Sequence, residues 1–363
     1  MNGQPHGPKR QSQKPIDWQK VQRVLVIRLR SIGDTVLSTP SLIALRRFLP
    51  DARIDILLED WVAPLLENFE QIDNLIAVGK GDAERVKAAW KIRRNRYDVV
   101  FNLHGGTTAT LLARASGARY RIGYADYQYS FLYNQKYSTS SDFWKAERTH
   151  SAEQQLALLG YAGVPVSDRP RTSLTVSESA RRTVANRFAF KKDYALIHPA
   201  SLFHTKQWSV ENFAGIVKAL AARGYESVAV ASKAERAVLE SLADLAGPSV
   251  TIAYDLSLPE ITALASDAKL FVGNDSGIAH IAAAVNIPTV VIFGSSNRDH
   301  WRPWTDAPNE IVFNSFDCQP CPGYECAVYG EPRCILGVSV EQVITAIDKV
   351  LAKKEKGEPE PAF

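Results

Sequence analysis

KLFVGNDSGIAHIAAAVNIPTVVIFGSS, residues 269–296, sets out a strand, a tight polar turn, a helix and a second strand. Residues 270–273 and 289–293 are apolar enough, apart from Thr289, for strands covered on both faces of a parallel sheet. Between them Ile278, Ile281, Ala282 and Val285 recur at the i, i+3, i+4, i+7 spacing of one packed helix face. The resulting βαβ unit opens its turn, Asn274, Asp275, Ser276 and Gly277, at the carboxyl end of a strand, where open α/β sheets take their ligands. Free backbone N–H groups of Ser276, Gly277 and Ile278 at a helix start attract phosphate, and Gly277 has no Cβ to keep an anion away. His280 follows one turn later on the same rim. A capped helix behind a glycine turn would account for the same residues without any ligand.

Outward from this unit the alternation continues in both directions. Upstream, strands are expected at 194–197, 226–231 and 249–253, with helices at 210–222 and 234–246. Ser257 and Glu260 around Pro259 form a capping-box pattern that starts a helix ending near Ser266. Residues 198–201 and the polar run FHTKQW, residues 203–208, follow the first of these strands. Lys206 there is either a phosphate-neutralising cation or an ordinary surface lysine. A last helix is expected at 339–351.

The amino-terminal half repeats the plan. RVLVIRLR, residues 23–30, is a strand, and Ser31, Ile32, Gly33 and Asp34 form the turn before a helix that carries Pro40. One glycine and an aspartate in this turn argue against a dinucleotide, whose pyrophosphate needs several glycines and no carboxylate. Asp34 is instead placed to take a proton at the edge of a cleft, or simply to cap the helix. A strand at 53–58, a helix around 61–69, a short strand at 75–78, a helix at 82–96 and a strand at 97–103 follow. The last of these ends in His104, at the same sheet edge as Asp34. Arg28, Arg30, Arg119 and Arg121 flank strand ends, and a cleft lined by them would suit phosphates or carboxylates. Lys91, Arg93, Arg94 and Arg96 suit an anionic membrane surface or acidic acceptor, although a solvated helix face is the commoner origin of such a cluster. YADYQYSFLYNQKYSTSS, residues 124–141, lacks helical period and reads as a long aromatic loop, of the kind that touches sugars.

The 363 residues are enough for two cores, and the net charge of +4 does not point to nucleic acid. The expected division is a disordered tail at 1–20, a Rossmann-like domain at 21–165, a linker at 166–175, a second Rossmann-like domain at 176–353 and a disordered tail at 354–363. Residues 1–20 have no apolar core and no run is long enough to span a bilayer, so a cytoplasmic protein with reduced thiols is expected. All four cysteines, Cys318, Cys321, Cys326 and Cys334, fall in one short segment, 318–334. In a reducing compartment such a set suits a structural zinc or iron, with free thiols or a disulfide as the alternatives.

Motifs in both halves carry a resemblance. RVLVIRLRSIGDTVLSTPSLIALRRFLPDARIDIL, YDVVFNLHGG and YRIGY resemble the acceptor domain of the ADP-heptose lipopolysaccharide heptosyltransferases, glycosyltransferase family 9. HPAS, FHTKQW and VGNDSGIAHIAAAVNIPTVVIFGSS resemble the donor domain, so that residues 22–350 are covered. The resemblance implies a GT-B fold, two facing Rossmann-like α/β domains with parallel sheets, and an inverting transfer of heptose from an ADP-heptose donor to a lipopolysaccharide-core or related lipid-linked glycan acceptor. It makes Asp34 the general base and assigns Lys206, Asp275, Ser276, Gly277, His280 and Glu235 to the ADP-sugar. Arg30, His104 and Arg121 are the expected acceptor contacts. Such a displacement needs one carboxylate rather than two, and no acidic pair stands out as a metal clamp, so catalysis without a cofactor is expected. A protein of this kind would work at the cytoplasmic face of the inner membrane, in peripheral contact with it. The cysteine cluster, which only part of the family carries, leaves open another nucleotide sugar, a protein acceptor, or a non-catalytic GT-B protein organised by a metal–thiolate cluster.

Overall fold

A computed structural model describes residues 15–321 and 323–356. Twelve parallel strands form two sheets of six among the described residues. The first contains β1 (Arg23–Leu29), β2 (Arg53–Glu59), β3 (Asn74–Val78), β4 (Val99–Asn102), β5 (Tyr120–Tyr124) and β6 (Gln135–Tyr137), in the order β3-β2-β1-β4-β5-β6. The second contains β7 (Tyr194–His198), β8 (Glu226–Val230), β9 (Thr251–Ala253), β10 (Leu270–Asn274), β11 (Thr289–Ile292) and β12 (Asn309–Val312), in the order β12-β11-β10-β7-β8-β9. Counted from its own first strand, each sheet has the same doubly wound order, and in each the winding reverses between the first and fourth strands. The turns after β1 and β4, and those after β7 and β10, therefore open at the two switch points. The central strands β4, β7 and β10 are buried along their whole length, which is why they read as unbroken apolar runs.

Several elements differ from the sequence-based expectation. The helix expected at 61–69 is a single 3-10 turn, Ala63–Leu66, because Pro64 lacks an N–H and Asn68 takes left-handed backbone. The aromatic loop contains the 3-10 turn Ser130–Leu132 and the edge strand β6, where three residues are too few to show a period. The segment 15–20, expected to be disordered, is anchored. Trp18 packs edge-on against Phe48, stacks with Phe101, and donates its indole N–H to the Ala162 carbonyl at 2.9 Å. The last helix runs to Lys356, past the expected start of the tail at 354. Residues 1–14 and 357–363 of the two expected tails lie outside the described residues.

The helix Gly277–Ala284 also departs from its expected single packed face. Every residue from Ile278 to Ala284 is buried, since the helix is held between its own sheet and the turn after β1. The expected linker carries no helix or strand, yet Thr172 and Leu174 are buried, and Thr172 donates both its N–H and its hydroxyl to the Trp304 carbonyl.

Candidate functional site

The turns after β1 and β10 meet glycine against glycine. A Cβ on Gly277 would stand 2.7 Å from the Ile32 Cβ and 3.2 Å from the Gly33 nitrogen. A Cβ on Gly33 would stand 2.7 Å from the His280 ring. Neither glycine has positive φ, so what each supplies is close approach rather than a special backbone conformation.

A cavity of about 420 Å³ opens beside this contact. Ser31, Ile32 and Gly33 wall it on one side, and Lys206, Asp275, Ser276 and Gly277 on the other. Asn274 fixes the second turn from below: its side chain accepts from the Trp208 N–H at 3.1 Å and donates to the Pro199 carbonyl at 2.8 Å. The Lys206 ammonium lies 2.9 Å from the buried Asp275 carboxylate, which also accepts from the Ser296 hydroxyl. The Ser276 hydroxyl is buried and has no protein partner. No side chain caps the helix start, so its N–H groups face the cavity uncovered. Val230, Ala231, Leu256 and Leu258 line an apolar end, and Glu235 stands on the same wall, accepting from the Ser232 N–H and hydroxyl at 3.0 and 2.7 Å. The cavity thus offers an amide anion site and a lysine, an apolar slot and a carboxylate, which match the diphosphate, base and sugar of a nucleotide.

His280 lies elsewhere. It is buried under Gly33 and lines neither this cavity nor the next, with Nδ1 unpartnered and burial pushing its imidazole below the ordinary value. Its expected place on the cavity rim is therefore corrected: it packs between the two turns.

Asp34 faces a second cavity, of about 330 Å³, on the other side of the same turn. Its carboxylate contacts the buried Arg28 guanidinium and accepts from the Ser31 hydroxyl at 3.1 Å and N–H at 3.4 Å. Arg28 in turn donates to the Leu103 carbonyl at 2.8 Å. Asp34 thus caps its helix, one of its two sequence readings, and it lines a cleft, the position that the other reading requires. His104, held by Asn102 through its N–H, shares this cavity. Burial, helped by the nearby Arg28 charge, pushes the His104 imidazole down to about 4, so it is neutral at neutral pH.

Tyr124 and Tyr127, from the aromatic stretch 124–141 marked in the sequence, also line this cavity, whereas three other wall residues were not legible there. His300 and Trp301 reach in from the short helix Arg298–Trp301 of the second half, and Gln155 from the helix Ser151–Tyr161. Gln155 is buried with neither amide atom bonded. No local spacing marks these three, because the fold joins segments far apart in the chain. Of the expected acceptor contacts, Arg30 is exposed and lines neither cavity. Arg121 is also misplaced by the sequence reading. It is the second residue of β5, near the amino edge of a parallel sheet and opposite the ligand edge, and donates to the Leu132 and Ala118 carbonyls at 3.0 and 2.8 Å.

The four cysteines line one small pocket of about 10 Å³. Soft thiols are chemically apt for zinc or iron. Among the described residues, however, no group of three or more histidine, cysteine, aspartate or glutamate side chains is arranged to hold a metal ion. The expected metal has no ready-made site in this geometry. The loop is fastened by other means: the Cys321 N–H donates to the Ser295 carbonyl at 2.9 Å, the Gln319 amide to the Gly294 carbonyl, and the Thr205 hydroxyl to the Gly323 carbonyl at 3.0 Å. It thereby backs the Lys206 turn.

Residues 85–330 match the family model described as glycosyltransferase family 9 (heptosyltransferase). The chain belongs to glycosyltransferase family 9. It is a glycosyltransferase, and its two parallel sheets are those of the GT-B fold. Over 353 residues it is 30% identical to lipopolysaccharide heptosyltransferase 3 of Escherichia coli, covering 91% of this chain and 99% of that one. Among solved structures, a family 9 glycosyltransferase from Veillonella parvula superposes with a TM-score of 0.79 at 21% identity, over 92% and 97% of the two chains. The E. coli ADP-heptose lipopolysaccharide heptosyltransferase II does so with a TM-score of 0.76 at 23% identity, over 92% and 100%. At these identities the two superpositions speak for the fold. Among the described residues no helix is long and apolar enough to cross a membrane.

Proposed function

We propose that this family 9 enzyme transfers a heptose from an ADP-heptose donor to a hydroxyl of a lipopolysaccharide-core acceptor, with inversion at the transferred carbon. One observation carries the reading: a single turn, Ser31–Asp34, walls the nucleotide-shaped cavity with its first three residues and the second cavity with its aspartate. In the proposed reaction Asp34 accepts the proton of the acceptor hydroxyl as that oxygen attacks the sugar carbon, and ADP leaves from the opposite face. The diphosphate gains negative charge as it leaves. Lys206 and the uncovered amides at Ser276–Ile278 are positioned to stabilise that gain. Glu235 is assigned to the ribose hydroxyls and the apolar end to the base. The acceptor belongs in the second cavity, where Trp301 presents an aromatic face and Gln155 an unsatisfied amide. ADP-heptose as donor agrees with the similarity to the E. coli ADP-heptose lipopolysaccharide heptosyltransferase II, and a lipopolysaccharide acceptor with that to lipopolysaccharide heptosyltransferase 3.

The test is ADP release from ADP-heptose, compared with UDP- and GDP-sugars, with core oligosaccharide as acceptor. ADP-heptose is expected to be the preferred donor. Asp34→Asn is expected to lower kcat by about 100-fold or more while ADP still binds. Transfer at the wild-type rate by that variant would remove Asp34 from the mechanism.

A further inference from the structure

One face of the first sheet is covered by the helix Asp82–Arg94, the helix Thr107–Ala115 and the turn Ser130–Leu132. Their inward side chains, Ala88, Ile92, Ala109, Leu112 and Ala113, share a core with Leu25, Ile27 and Val100 of the sheet. The outward side of the same layer is not that of an ordinary solvated surface. Val86, Trp90, Leu111 and Phe131 are 67%, 62%, 52% and 74% exposed, on three neighbouring elements. Tyr129, also exposed, meets Phe131 edge to face.

Cations stand beside these apolar tips. Arg94 lies with its guanidinium 4.3 Å over the Trp90 ring, Lys91 adjoins it, and Arg114 follows Leu111 by one helical turn. The only acids of the two helices are Asp82 and Glu84, already paired with Arg85 and Lys87. The layer also ends beside the second cavity. Thr107 opens the second helix and its hydroxyl donates to Gln128, the neighbour of Tyr127, which lines that cavity.

We propose that this outer layer is a docking surface for an anionic lipid bilayer, with Trp90, Leu111 and Phe131 entering the headgroup region and Lys91, Arg94 and Arg114 meeting lipid phosphates. Exposed aromatic and aliphatic tips flanked by lysine and arginine suit that boundary, where the rings leave water and the cationic heads stay at the charged plane. Excess positive charge supplies the complementarity to anionic lipid. A lipid-borne acceptor would then present its headgroup sugars at the rim of the second cavity. The docking itself does not depend on which sugar is transferred.

The experiment is flotation of the purified full chain with phosphatidylcholine vesicles, with and without phosphatidylglycerol. Wild-type protein is expected to float roughly tenfold more with the anionic vesicles, and added salt to reverse this. Lys91→Glu combined with Arg94→Glu, and separately Trp90→Ser combined with Phe131→Ser, are each expected to abolish flotation while calorimetric ADP binding stays at the wild-type level. Wild-type protein that stays in the dense fraction, floats equally with both vesicle types, or floats undiminished in both double variants overturns the proposal.

Discussion

Asp34 and Gln155 show what single residues contribute to the second cavity. Asp34 is open to two readings from the sequence: the cap is seen in its contact with Ser31, and the base is the role proposed for the same carboxylate, which lines the cleft. Gln155 had no reading at all: it lies on an apolar-rich helix whose neighbours, Leu156 to Leu159, form core. A buried amide with no partner costs stability, and such costs are retained where a ligand satisfies the group. Gln155→Met is therefore expected to raise the unfolding free energy by about 1 kcal/mol and to lower kcat/KM for acceptor by about tenfold. Urea denaturation and acceptor titration at saturating donor check the two halves of that expectation. Arg121 marks the opposite error. Its place in the sequence suggested a strand end near the site, but only the direction of a parallel strand says which end.

At the scale of elements, the turns were the most legible part of the chain. Strand, polar turn and buried helix follow one another in the sequence at 269–296 much as in the structure, since apolar runs and glycine positions are local properties. That the turn after β1 would rest on the turn after β10 was not local, and the glycines record it. Gly277→Ala is expected to push Ile32 away and to weaken ADP binding by about tenfold. Ile32→Gly in the same chain removes both the obstructing Cβ and its branch and is expected to restore part of the affinity, so a double-mutant cycle by calorimetry reads the contact directly. The cysteine loop supplies a second test. Because it backs Thr205 beside Lys206, Cys321→Ser is expected to raise the KM for the sugar nucleotide by a few fold with little change in kcat. Burial pushes the Cys334 thiol up, and it is expected to alkylate more slowly than Cys318 in the folded protein.

The whole molecule carries a pH dependence that no single element shows. Burial holds the imidazoles of His104, His150, His198, His280 and His300 below their ordinary 6.5, His104 to about 4 and His150 to about 3. Below pH 6.5 the unfolded chain takes up protons that the folded chain refuses. Stability is therefore complete above that pH and falls as the pH drops through the window toward the folded values. Each histidine contributes up to about 1.4 kcal/mol per pH unit there. Urea midpoints are expected to be lower at about pH 5.5 than at about pH 7.5, and a flat profile would contradict the burial of these rings. The halves were separable in the sequence because each repeats one doubly wound order, whereas their mutual placement rests on side chains such as Trp301 and Trp304 that cross from one half to the other.

The buried Arg28 partner of Asp34 has a consequence for the timing of charge in the proposed reaction. Before transfer the guanidinium and carboxylate cancel each other. Once the carboxylate has taken the acceptor's proton, the arginine is left uncompensated. One unit of positive charge thus emerges just beneath the shared turn in the same event that makes the departing nucleotide more negative. In the proposed reaction the pair would act as a relay of field rather than of protons: neutral while substrates assemble, and positive only as the new bond forms.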